Sequence, residues 1–207
     1  MAVVNNVLTP TSIVSEGLAS STSFDDSGRA AHVPCLRNVG STNQPQTLDE
    51  LLRLSAEELG RCEIARMNLL CATGLPGAEN LDVDQDLIQL DAWAERIFVM
   101  TESHLDAFHR NPALFENSEP LWRMLGLTRI LEHEYQIHYH PDCIDREPDW
   151  GDSTALLLHG LLGSQRHGTC PSLPVLVVAV GRRLSYPLRV ARLLEGVCGA
   201  QETQDRH

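Results

Sequence analysis

The chain has 207 residues, and its 28 acidic against 16 basic side chains give a formal net charge of −12. All of the basic residues are arginine, which excludes chemistry that needs a lysine, such as a Schiff base or a phosphate-loop lysine. The acidic balance argues against a nucleic-acid or membrane-surface partner, and the sequence shows neither a spanning apolar run nor a signal peptide. We therefore expect a globular, cytoplasmic chain whose function does not depend on lysine.

The organisation along the chain predicts three regions. Residues 1–46 are rich in Ser, Thr, Asn, Gly and Pro without a sustained apolar period, which is typical of a disordered leader. Residues 47–190 carry helical signals and the candidate core. Residues 191–207 change in pattern and composition, and we interpret them as a divergent C-terminal tail.

Helix start signals open the central region. Thr47 with Glu50 and Ser55 with Glu58 have the spacing of capping boxes, which predicts a short helix and then a longer one that ends near Ala72. A third, long helix is expected from Asp84 to just before Asn111-Pro112.

Further elements follow along the chain. Ser118 begins the next predicted helix, and the alternation over residues 135–140 indicates a short strand or extended turn. Another helix is expected from about Asp152-Ser153 through Leu161.

The apolar run from Leu173 to Val180 fits either a buried strand or a buried helix by periodicity alone. Pro171 suits a first helical turn, Arg182 and Arg183 suit a last turn, and Pro187 prevents continuation, so we favour a buried helix.

Cys170 stands at the start of that predicted helix. Helix N-terminal amides favour thiolate over thiol and could stabilise an oxyanion, which would make Cys170 a nucleophile that substrate approaches past the small Gly168. The alternative is that Cys170 is a small packing residue at a helix start. All six cysteines are expected to be free thiols, because no C-x-x-C pair or export signal is present.

Several motifs carry a family resemblance. They are His159-Gly160-Leu161-Leu162, Gly168-Thr169-Cys170-Pro171-Ser172-Leu173-Pro174, and Val180-Gly181-Arg182-Arg183-Leu184-Ser185-Tyr186-Pro187-Leu188, with a weaker stretch over residues 70–94. These motifs resemble the bacterial transglutaminase-like superfamily over roughly residues 50–190. The resemblance implies an α-rich α+β fold with few strands, made of a helical region and the first half of a papain-like core. It also implies that Cys170 is the nucleophile of a cysteine protease, amidase or transglutaminase-type reaction, with a protein or peptide as the substrate or partner.

The resemblance also implies a histidine and a carboxylate or amide from later strands, and this sequence departs from that expectation. The histidine should fall near Gly196, whereas the chain continues without one until His207 at its end. His159 and His167 lie upstream and are not expected to reach the sulfur. We therefore expect loss of the later strands through truncation or a frameshift near Val190, which translation of the other two frames of genomic DNA would test. The resulting interpretation is an incomplete, inactive member, and the alternative is a non-catalytic helical interaction module.

One histidine cluster has features of a metal site. His138-x-His140 on a strand would place both imidazoles on one face, with Cys143 nearby, which suits zinc. The alternative is a histidine-rich exposed edge. Because no C-x-x-C or H-x-x-x-H motif accompanies the cluster, the sequence predicts neither a metal nor a cofactor.

Overall fold

The computed structural model describes residues 44–190. The predicted tail therefore lies outside the described residues, as does all of the predicted leader except residues 44–46. The helices within this range are α1 Leu48–Leu52, α2 Ala56–Leu59, α3 Ile64–Ala72, α4 Val83–Ser103, α5 Leu105–Arg110, α6 Glu119–His133, α7 Ser153–Leu156, α8 Leu158–Leu162 and α9 Ser172–Arg183. Short 3-10 turns cover Pro112–Phe115 and Pro141–Cys143, and the strands are β1 His138–Tyr139 and β2 His167–Gly168.

The predicted helix starts are confirmed by their caps. The Ser55 hydroxyl accepts from the Glu58 amide, and the Glu58 carboxylate accepts from the Ser55 amide, so this capping box is complete. At Thr47 only the first half forms, because the Glu50 carboxylate accepts from the Gln46 amide at 2.7 Å. Ser118 caps α6 through the Leu121 amide, as its spacing predicts.

Two helices predicted to be continuous are interrupted. The helix after Ser55 ends at Leu59 and resumes at Ile64, and the Gln44 side chain accepts from the Glu63 amide at the break. The predicted long helix over residues 84–110 is divided into α4 and α5 at His104. There the Ser103 hydroxyl donates to the Met100 carbonyl, and side chains that compete for helix carbonyls in this way weaken the continuing helix.

The predicted helix through Leu161 is also broken, because Leu157 is extended between α7 and α8. The side-chain oxygen of Asn68, on α3, accepts from the first amide of α8, that of Leu158, at 2.8 Å. Gly160 then lies so near the Thr154 backbone that a Cβ would stand 1.8 Å from its carbonyl oxygen. The cap from Asn68 and the close contact between Gly160 and Thr154 therefore accompany two short helices in place of the one predicted helix.

The apolar run after Cys170 is a helix, α9, which decides between the two predicted alternatives. It packs against α3, α4, α6 and α8, and its Leu176 and Val180 side chains have no exposed surface. Arg183 in its last turn pairs with Glu63, the residue that precedes α3, and with Asp91 of α4. The core of the described region therefore lies around α9.

The strand content is small. β1 and β2 pair in parallel, with His138 opposite His167 and Tyr139 opposite Gly168. The predicted extended segment is thus confirmed as β1, and the predicted α-rich character with few strands is confirmed for residues 44–190. None of the helices described for this range is both long and apolar enough to cross a membrane.

Candidate functional site around Cys170

Cys170 is exposed and lies two residues before the start of α9. The Leu173 amide donates to the Thr169 carbonyl at 3.0 Å, and Pro171 has helical dihedrals, φ −70° and ψ −44°. The turn that contains Cys170 is therefore helical and continuous with the buried helix behind it.

Buried hydroxyl groups hold this turn in place. The Ala155 carbonyl, on α7, accepts from Thr169 Oγ1 at 2.8 Å and from Ser172 Oγ at 2.9 Å. Ser172 Oγ also accepts from the Thr169 amide, as an N3 side chain does in a capping box. Both hydroxyl residues have no exposed surface. Sequence reasoning missed these two residues, although their positions on either side of Cys170-Pro171 fit a helix start.

Tyr139 is the polar neighbour of the Cys170 thiol. Its hydroxyl oxygen lies 3.3 Å from Cys170 Sγ, and either group can be the donor. Pairing of β1 with β2 positions Tyr139 for this contact, because Tyr139 lies opposite Gly168, two residues before the cysteine. No local sequence signal predicts this pair, since it depends on the register of two strands that are distant in the chain.

Gly168 is buried against core side chains and does not give substrate access to Cys170. It is buried, and a Cβ there would lie 2.8 Å from Leu173 and 2.9 Å from Leu161 side-chain atoms. The expectation that this glycine admits substrate is therefore wrong. The core requires the absence of a side chain at this position.

The upstream histidines His159 and His167 have other neighbours in the structure. Among residues 44–190, Cys170 makes no hydrogen bond to an imidazole or a carboxylate. His159 is buried on α8, with its Nε2 atom 3.3 Å from Ser153 Oγ. Burial lowers the pKa of His159, and the charges of Asp152 and Glu79 offset only part of this effect. The Ser153 hydroxyl donates to the Pro76 carbonyl at 2.5 Å.

His167 belongs to a histidine face on the strand pair. Its ring centroid lies 6.2 Å from that of His138 and 6.0 Å from that of His140. Cys143, which the sequence suggested as a neighbour of this pair, is buried in a 3-10 turn. Over the part of the chain that the structure describes, no three His, Cys, Asp or Glu side chains are arranged to hold a metal ion.

Comparison with known proteins identifies no relative: the chain matches no family model, no curated protein and no solved structure.

Proposed function

We propose that this chain is an incomplete, inactive transglutaminase-like protein, in which the Cys170 thiol holds the place of the nucleophile for acyl transfer or amide hydrolysis on a protein or peptide substrate and the His/Asp partners are missing. The observation that supports this proposal is the placement of an exposed thiol at the first turn of the buried helix α9. A thiol in this position is accessible, and the N-terminal end of a helix is a place where a nucleophilic cysteine is commonly found.

Among residues 44–190, Cys170 is hydrogen-bonded to no group that could complete this reaction. Amide cleavage needs a base that activates the thiol and an acid that protonates the leaving amine. The hydrogen-bonding partner of Cys170 is a tyrosine hydroxyl, which is a weak acid and a weaker base at neutral pH. We therefore expect a thiol that reacts with electrophiles, without turnover of amide substrates.

Site-resolved alkylation of the native chain by iodoacetamide, measured by mass spectrometry near neutral pH, tests the proposal. Cys71 is a matched comparison, because it is also exposed but lies at the C-terminal end of α3. We expect Cys170 to react several-fold faster than Cys71, and the difference to disappear in denaturant. Equal rates in the native chain would contradict a nucleophilic role for Cys170.

Replacement of Tyr139 by Phe separates the contribution of the hydroxyl from that of the helix. If the hydroxyl donates to the thiolate, loss of that bond slows alkylation of Cys170 near neutral pH and leaves the rate at Cys71 unchanged. An unchanged rate at Cys170 would assign the reactivity to the helix turn alone.

A non-catalytic interaction module is the second candidate, and the exposed apolar residues favour it. Trp150 is 65 % exposed and Ile144 53 % exposed, both in the segment between the 3-10 turn Pro141–Cys143 and α7. Large apolar side chains that remain in water on one segment are typical of contact surfaces. Light scattering distinguishes the two candidates, because a concentration-dependent oligomer that Trp150→Ser abolishes would favour the module.

A further inference from the structure

We propose that the loop between the 3-10 turn Pro141–Cys143 and α7, centred on Trp150, is a docking surface for an arginine-rich segment of a partner protein. The proposal deepens the interaction-module function and rests on it, and it makes no use of the Cys170 thiol. Its basis is an indole that stays in water on a loop whose carboxylates lack cationic partners among residues 44–190.

Trp150 differs from the other two tryptophans of the chain. Trp93 and Trp122 are buried, whereas Trp150 is 65 % exposed. Within the part of the chain that the structure describes, the Trp150 indole makes no hydrogen bond and no contact with another ring. A tryptophan left in water forgoes a large gain from burial, and at interfaces tryptophan is enriched among the residues that carry the binding energy. The indole is therefore available to a partner.

The backbone on both sides of Trp150 is held in place. The Asp149 carbonyl accepts from the Asp152 amide at 3.1 Å, and Asp149 Oδ1 accepts from the Gly151 amide at 2.8 Å. Asp152 in turn caps α7, because its side chain accepts from the Thr154 amide. The indole is thus carried by a turn that is joined to the folded region, which lowers the cost of ordering the loop on binding.

The loop has a strongly negative charge. Residues 142–152 contain five acidic side chains and one arginine, so their formal charge is −4. The arginine, Arg146, is directed to Asp142: its Nε donates to the Asp142 carbonyl at 2.9 Å, and its guanidinium lies 3.6 Å from the carboxylate. The single cation of this loop therefore leaves the other carboxylates without a partner.

Two of these carboxylates lie close to Trp150. Glu147 and Asp149 are exposed, and neither forms an ion pair within residues 44–190. Both are within three residues of Trp150, so their Cα atoms are at most about 11 Å from its Cα atom. An exposed indole and two unpaired carboxylates are therefore offered together.

This combination selects a cation. A guanidinium over an exposed indole contributes about 0.5–1 kcal/mol, and neighbouring carboxylates attract it and fix its register. Arginine fits better than lysine, because a planar guanidinium stacks on the ring while its edge donates to a carboxylate. The chemistry that complements the loop is therefore that of an arginine-rich segment.

Charge disfavours the other occupants. Residues 1–43 and residues 191–207 each contain two arginines and three acidic side chains, so neither segment is cationic. A second copy has the same net charge of −12, and a two-fold contact would set the same acidic loop against itself. The occupant is therefore a basic segment of another protein.

Titration of the full chain with a blocked peptide of four Arg-Gly repeats tests the proposal. Isothermal titration gives the affinity, and the three indole N–H cross-peaks in ¹H–¹⁵N spectra give the location. We expect the Trp150 cross-peak, identified by its loss in Trp150→Phe, to shift while those of Trp93 and Trp122 stay in place. The same peptide with citrulline for arginine keeps the shape without the charge and should bind about tenfold more weakly or not at all.

Two charge-matched double variants separate this loop from the overall charge of the chain. Glu147→Gln with Asp149→Asn removes two carboxylates near Trp150 and keeps a side-chain acceptor in the turn. Glu95→Gln with Glu116→Gln removes two exposed carboxylates elsewhere. We expect the first pair to weaken peptide binding about fivefold and the second pair by less than about twofold.

Three results would overturn the docking surface: an unmoved Trp150 cross-peak, equal weakening in the two double variants, or equal affinity for the citrulline peptide. Failure of the peptide to bind, together with an oligomer that Trp150→Ser abolishes, would place a second copy on the loop. That result would overturn this proposal and leave the interaction-module function standing. Absence of both peptide binding and oligomer would contradict both.

Discussion

The side-chain oxygen of Asn68 accepts a hydrogen bond from the Leu158 amide at 2.8 Å, although the two residues are 90 positions apart in the sequence. Asn68 belongs to α3 and Leu158 opens α8, so a distant side chain caps this short helix. The cap fixes α8 against α3, and through the break at Leu157 it also fixes α7, whose Ala155 carbonyl holds the Cys170 turn.

Replacement of Asn68 by Ala should therefore destabilise the fold. The Leu158 amide is buried and would lose its acceptor, which costs about 1–3 kcal/mol in the free energy of unfolding. Urea denaturation followed by circular dichroism measures the loss. Asn80→Ala, in an exposed turn, is the matched control and should change the free energy by less than about 0.5 kcal/mol. Equal effects of the two substitutions would show that the cap contributes nothing.

Gly160→Ala should be more damaging, because the added Cβ would stand 1.8 Å from the Thr154 carbonyl oxygen, which is backbone and cannot rotate away. We expect a loss of about 3 kcal/mol or more, or failure to fold. Gly60→Ala is the comparison, since Gly60 has φ −62° and its nearest neighbour to a Cβ is 3.4 Å away. At such a site alanine is expected to be neutral or stabilising by up to about 1 kcal/mol. Thermal and urea denaturation of the two variants, side by side, check the contrast.

Local signals predicted most helix starts and the central helix, because caps and prolines act within a few residues. Ser55, Ser118 and Pro171 are examples of such signals. The interruptions at Glu63 and Leu157 could not be predicted in this way, because the groups that stabilise them, Gln44 and Asn68, come from elsewhere in the chain.

The candidate site likewise has features that neighbouring residues predict and features that depend on distant parts of the chain. The position of Cys170 before a buried helix follows from Pro171 and the apolar run behind it. The Tyr139 contact and the three-histidine face depend on the parallel register of two strands of two residues each, which periodicity does not specify. The sequence suggests Cys143 as a neighbour of His138 and His140, whereas the fold buries Cys143 in a 3-10 turn and places the His167 ring beside the two histidines.

Arg183 links three helices, so its loss should lower stability measurably. Its side chain is 12 % exposed, pairs with Glu63 and, at 2.6 Å, with Asp91, and donates to the Ala179 carbonyl at 3.0 Å. Arg183→Met keeps much of the apolar stem but leaves the Glu63 carboxylate, itself 16 % exposed, without a cation. We expect a loss of about 2–3 kcal/mol, because the hydrogen bonds to Asp91 and to the Ala179 carbonyl are lost and the ion pair with Glu63 is broken.

Arg146→Met is the control for Arg183→Met. Arg146 is 72 % exposed and lies 3.6 Å from Asp142, a geometry in which an ion pair contributes little. Chemical denaturation at low and high salt should show the Arg183 effect at both concentrations, because partly buried pairs are weakly screened. An Arg183→Met chain as stable as Arg146→Met would contradict the role assigned to this residue.

The stability of the fold should fall as the pH is lowered from neutrality, in part because of His159. Burial lowers the pKa of this residue in the folded chain below its ordinary value of about 6.5. Between the unfolded and the folded pKa the unfolded chain binds more protons, so acidification favours unfolding. The contribution is intact above about pH 6.5 and is lost as the pH falls toward the folded pKa. His159→Gln, which keeps a donor for Ser153 but does not titrate, should flatten the dependence of the unfolding free energy on pH from 7.5 to 5.5. His109→Gln, at an exposed position, should retain the slope of the unmodified chain. If the His159→Gln chain lost stability with the same slope, its burial would have no part in the pH response.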